Sequence, residues 1–163
     1  WIRPVVPANG PMALKIALHE LDRLIRKGMS EADFERTRDY LMKNVYLLTS
    51  TQGDDLGAAL DSRWYGTGDL VPYLRERLAK LTRADVNRAI RKHLSAETLS
   101  VVMITKDAEG LRKQLLSAQP STIAYDAPKP PEVLAEDKVI GERKLGLTPE
   151  RVRITPVSEV FAR

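Results

Sequence analysis

Apolar positions recur at three- and four-residue spacing through the first two thirds of the chain, and that spacing predicts helices. Leu14, Ala17, Leu18, Leu21, Leu24 and Ile25 form one face of a helix over 11–27. Pro11 suits its first position, Arg26 and Lys27 suit the negative end of its last turn, and Gly28 stops it. Ser30 with Asp33 three residues on is the capping pattern of a second helix, running to about Leu48 with Phe34, Leu41, Val45 and Leu48 on its buried side. A polar break at 49–53 precedes a third helix over 54–65, weakened by Gly57. The glycines of Tyr65-Gly-Thr-Gly-Asp69 predict a turn, and Asp69 is placed to cap a fourth helix with Tyr73, Leu74, Leu78 and Leu81 inward.

The stretch Thr82 to Asp107 then changes period. Thr82 and Asp85 have the spacing of a capping box, and Val86, Ala89, Ile90 and Leu94 follow as a helical stripe. After Ser95-Ala-Glu97 comes Leu99, Val101, Val102, Met103 and Ile104, a nearly unbroken and partly β-branched run. Such a run predicts a strand covered on both faces. Trp1 to Val6 alternates loosely as the end of another strand at a sheet edge, and Ser121 to Tyr125 as a further short one. A helix over 107–117 carries Leu111, Leu115 and Leu116. The expected fold class is therefore α+β: a mixed or antiparallel sheet with several helices packed on one face. The expected domains are a partial α+β unit over 1–125 and a Pro-rich linker and tail over 126–163, the linker being Ala127-Pro-Lys-Pro-Pro131.

A chain of 163 residues with 43% hydrophobic and 29% charged residues is an ordinary globular composition. No run approaches the roughly 20 apolar residues of a membrane span. The absence of cysteine excludes disulfides, thiolate catalysis and thiolate-bound zinc. The net charge of +4 is spread along helices, without the clustered basic stripe that nucleic-acid binding needs. The chain opens on Trp-Ile-Arg-Pro-Val, so it reads as an excised piece whose first residues carry no targeting information.

The chemistry-bearing residues are few. The two histidines, His19 and His93, lie far apart and neither has a second histidine at helical spacing, so both read as helix-surface residues and the expected metal set is none. There is no Gly-x-Ser-x-Gly, and Tyr65-Gly-Thr-Gly-Asp69 lacks the spacing of a phosphate loop. Asp54, Asp55 and Asp61 have an electrostatic reason to sit near a helix start without a cation. Arg63, Trp64 and Tyr65 end a helix beside a turn, where such a group can contact a peptide, although ordinary packing is the preferred reading. No catalytic residue is expected in this chain, and substrate-binding residues are unknown.

Four phrases in order carry a resemblance. They are Leu21-Asp-Arg-Leu-Ile-Arg-Lys-Gly-Met-Ser-Glu-Ala-Asp-Phe-Glu35 and on to Leu41; Trp64-Tyr-Gly-Thr-Gly-Asp-Leu-Val-Pro-Tyr73; Leu81-Thr-Arg-Ala-Asp-Val-Asn-Arg-Ala-Ile-Arg-Lys-His-Leu94; and Leu99-Ser-Val-Val-Met-Ile-Thr105. Over residues 1 to about 117 the chain resembles the pitrilysin/insulinase family of zinc metallopeptidases, in the group close to mitochondrial processing peptidase. Its end, from Lys129 to Ile140 and on to Phe161, resembles that of some bacterial members; the compartment is unknown, periplasmic or cytoplasmic in a bacterium. The resemblance implies two layered α+β halves closing on a peptide, one of them holding zinc through His-x-x-Glu-His. That motif does not occur here, and no zinc ligand or catalytic residue of the family carries over. The chain would belong to the zinc-free half. It would need no cofactor of its own, the zinc lying in a parent or partner domain. Its partners would be that zinc-bearing domain or subunit and a peptide substrate, with no nucleic acid and no membrane span. The alternative is a metal-free scaffold or assembly subunit related to processing peptidases, and a basic nucleic-acid-binding helical domain is a third reading.

Overall fold

The structure is a computed structural model in which residues 4–161 are described. Its regular elements are helical. Eight α-helices are present among the described residues: α1 Gly10–Lys27, α2 Glu31–Asn44, α3 Gln52–Tyr65, α4 Leu70–Lys80, α5 Arg83–His93, α6 Ala108–Leu116, α7 Pro131–Gly141 and α8 Val157–Val160. Short 3-10 turns lie at Pro7–Asn9, Val45–Thr49 and Pro149–Arg151.

The expected α+β class with its sheet is overturned. No strand exists among the described residues. Leu99 to Ile104 has no ladder partner, and a strand is held by its partners rather than by its own side chains. Val102 and Ile104 are 88% and 90% exposed, whereas Met103 turns in toward Gly10 and Leu111 at the start of α1 and in α6. Ser121 to Tyr125 is likewise unpaired as a strand, and of the proposed edge strand Trp1 to Arg3 lie outside the described residues while Pro4 to Val6 are exposed coil.

The chain divides into two compact units: residues 1–22 with 96–163, and residues 23–95, α1 running from the first into the second. In the first unit the buried apolar residues are Met12, Leu115 and Ile140. The core forms where α7 meets α1. Gly141 O accepts from both Ser121 N at 3.0 Å and the Lys15 amine at 2.7 Å. Lys15 is buried, and desolvation pushes its amine below the ordinary Lys value. Arg143 pairs with Asp22 at 2.5 Å, and the Tyr125 hydroxyl donates to Asp137 at 2.7 Å. Arg112 of α6 donates to the carbonyls of Val152 and Pro149, tying down part of the end of the chain. So α7 belongs to the core of a unit, although its sequence reads as an aperiodic tail.

The second unit is a set of short capped helices around Phe34, Val45 and Ile90. The predicted caps form: Ser30 Oγ accepts from Asp33 N at 3.1 Å, and Thr82 with Asp85 makes a full capping box. Thr51 caps α3 by accepting from Asp54 N, so that helix begins two residues earlier than its pattern predicts. Asp69 precedes α4 but makes no side-chain cap. Leu41 and Leu48, expected inward, are 44% and 53% exposed. The link between α1 and α2 is fixed by a side chain from α5. Buried Asn87 accepts from Met29 N at 2.8 Å and donates to Met29 O at 3.2 Å. Gly28 stands beside it at φ +70°, and a Cβ there would lie 2.6 Å from Asn87 Oδ1. Glycine is required both by the left-handed backbone and by the closeness of the amide.

Candidate functional site

One donor cluster exists among the described residues. His19 and Glu20 of α1 and Glu136 of α7 bring their ligand atoms within 4.8 Å of one another. His19 Nε2 is 4.0 Å from Glu136 Oε1, with the histidine side chain 24% exposed and the glutamate 49%. An imidazole with two carboxylates is a chemically suitable donor set for zinc or another transition metal. Glu20 and Glu136, however, are each engaged in a further interaction, and the spacing of His19 and Glu136 is that of an ion pair. His19 is therefore more than a bare helix-surface residue. Its pairing was hidden because Glu136 falls in the stretch that reads as tail; the only hint of α7 was Pro131 at a helix first position. His93 is the exposed last residue of α5 and meets no other donor group of this kind.

The acidic residues of α3 do not converge on a cation site. Asp54 accepts a hydrogen bond from the Thr51 hydroxyl at 2.6 Å as part of the cap, Asp55 lies in the same first turn, and Asp61 stands exposed two turns on. Between α2 and α4 an open groove of about 770 Å³ is lined by Arg38, Lys43, Tyr46 and Arg75, with Asp39. Arg75 is engaged structurally there: it donates to Met42 O at 3.0 Å and lies over the Tyr46 ring at 5.3 Å. Neither place brings together a nucleophile, a base and an orienting group.

No family model, curated protein or solved structure matches this chain. No helix of the described residues is long and apolar enough to cross a membrane.

What distinguishes the molecule is apolar surface. Among the described residues six large apolar side chains are buried, whereas twenty-one are exposed, among them Tyr40, Leu47, Leu56, Leu60, Trp64, Tyr65, Val102 and Ile104. The ordinary packing expected for Arg63, Trp64 and Tyr65 is not found: Trp64 is 84% and Tyr65 73% exposed.

Proposed function

We propose that this chain is part of the zinc-free half of a pitrilysin/insulinase-type metallopeptidase, and that it completes the wall of the chamber enclosing an unfolded peptide. The four ordered sequence phrases support the peptidase class, while the sheet that the resemblance implies is not found among the described residues. The observation that carries the domain role is the excess of exposed over buried large apolar residues, which fits a body built to be covered by further protein. In this reading zinc belongs to the parent or partner domain. The present residues contribute confinement and positioning of the peptide beside that metal, not a bond-breaking group. The alternative, a metal-free assembly subunit, draws on the same exposed surface.

The test is a peptidase assay on the purified chain against a quenched unfolded peptide, with zinc added and with chelator. No chelator-sensitive cleavage is expected. Cleavage that chelator abolishes, and that His19→Ala removes, would overturn the proposal by placing a working metal centre in this chain.

A further inference from the structure

The helix α3 is oriented with its apolar stripe away from its own unit. Leu56, Leu60 and Trp64 follow at four-residue spacing and so lie one above another on one face. They are 63%, 61% and 84% exposed, while Ser62 on the opposite side is buried. Gly57, beside the stripe, has nothing within 4 Å of where a Cβ would stand, so the helix backbone is open to close approach there. One flank of the stripe carries Asp54 and Asp61, both exposed, and the other carries Arg63. The helix has three acidic residues against one arginine, in a chain whose net charge is +4.

We propose that this face is a docking site for an amphipathic helix of a partner protein, with apolar residues at helical spacing and basic residues along the flank that meets Asp54 and Asp61. Area and charge select that occupant. Trp64 alone offers on the order of 200 Å² of aromatic surface. With the two leucines the stripe reaches a few hundred Å², enough for one helix laid along it but short of the roughly 800 Å² per partner of a standard subunit interface. An antiparallel pair of copies fits poorly. In an antiparallel twofold pair each flank meets its own copy, and Asp54 and Asp61 would face Asp54 and Asp61. The site does not depend on the peptidase reading.

The test titrates the full chain into two fluorescently labelled synthetic helices of identical leucine pattern, one with lysine flanks and one with glutamate flanks, read by anisotropy. The lysine peptide is expected to bind about tenfold more tightly than the glutamate peptide. Leu60→Glu, at an exposed position and checked for folding by circular dichroism, is expected to abolish binding. The variant Asp61→Lys leaves the Thr51–Asp54 cap and the stripe in place and is expected to remove the preference for the lysine peptide. Equal binding of both peptides, binding insensitive to Leu60→Glu, or a wild-type dimer in sedimentation that Leu60→Glu separates into monomers would overturn the proposal.

Discussion

The contact between Asn87 and the α1–α2 link is the most sharply testable element of the fold. Replacing Asn87 by Ala removes a donor and an acceptor that meet Met29 O and Met29 N at 3.2 and 2.8 Å. Asn87 is 9% exposed, so water does not freely replace it. Two backbone groups deprived of partners at a part-buried site cost about 1 kcal/mol or more each, giving about 2–3 kcal/mol for Asn87→Ala. Gly28→Ala meets two separate obstacles. A non-glycine residue at φ +70° costs about 1 kcal/mol or somewhat more, and the new methyl would stand 2.6 Å from Asn87 Oδ1, adding a cost of similar size. In the Asn87→Ala background the second obstacle is gone, and Gly28→Ala should cost only about 1 kcal/mol. Urea unfolding by far-ultraviolet circular dichroism, with hydrogen exchange at the Met29 amide as a local probe, measures all four corners of the cycle. The double variant should be more stable than the sum of the singles by about 1–2 kcal/mol. Strict additivity, or a Met29 amide no less protected in Asn87→Ala, would refute this packing.

Two further outcomes follow from the same reasoning. Ile140→Ala should cost about 2–4 kcal/mol, since Ile140 is 3% exposed, and should raise the proteolytic susceptibility of 126–163 in limited digestion; an unchanged digestion pattern would mean that α7 is not part of a core. In acid, hydrogen bonds from Ser30 and then Arg36 hold Asp33 below the ordinary carboxylate value of 3.8, and those from Thr82 and then Arg88 do the same for Asp85. Carboxylates depressed in the folded state give stability that is fully present above 3.8 and lost as pH falls through their folded values. Circular dichroism of an Asp33→Asn, Asp85→Asn double variant should show a weaker acid dependence than wild type below pH 4, with the two converging in strongly acid solution.

Several helix ends were legible because each of those has a local chemical cause, whereas Asp69 makes no cap and α2 gives way at Val45 to a 3-10 turn. Ser30 with Asp33, Thr82 with Asp85, and Gly28 and Gly66 at positive φ are decided within a few residues. The absence of a sheet was not legible, because a strand depends on what lies beside it. The run Leu99 to Ile104 is extended in character, but no described segment supplies the other half of a ladder. Periodicity told which residues of a helix share a face and not which face is inside: α3 shows its Leu56, Leu60 and Trp64 stripe to solvent, and Leu41 and Leu48 of the second predicted helix also point outward. The helix α7 escaped because its apolar residues, Val133, Leu134, Val139 and Ile140, do not form one stripe, and the His19–Glu136 proximity escaped with it. For the proposed docking face, the residue group Arg63 to Tyr65 was visible in sequence, while its exposure was not.

The decisive measurement is complementation. The proposed reading requires a zinc-bearing peptidase half encoded with this chain; assayed alone and with the chain added, that half should cleave an unfolded peptide only in the mixture, and chelator should abolish that activity. A zinc half equally active by itself, or a mixture that forms a complex yet stays inert with zinc bound, would contradict a chamber-completing role and leave assembly as the function of the exposed surface.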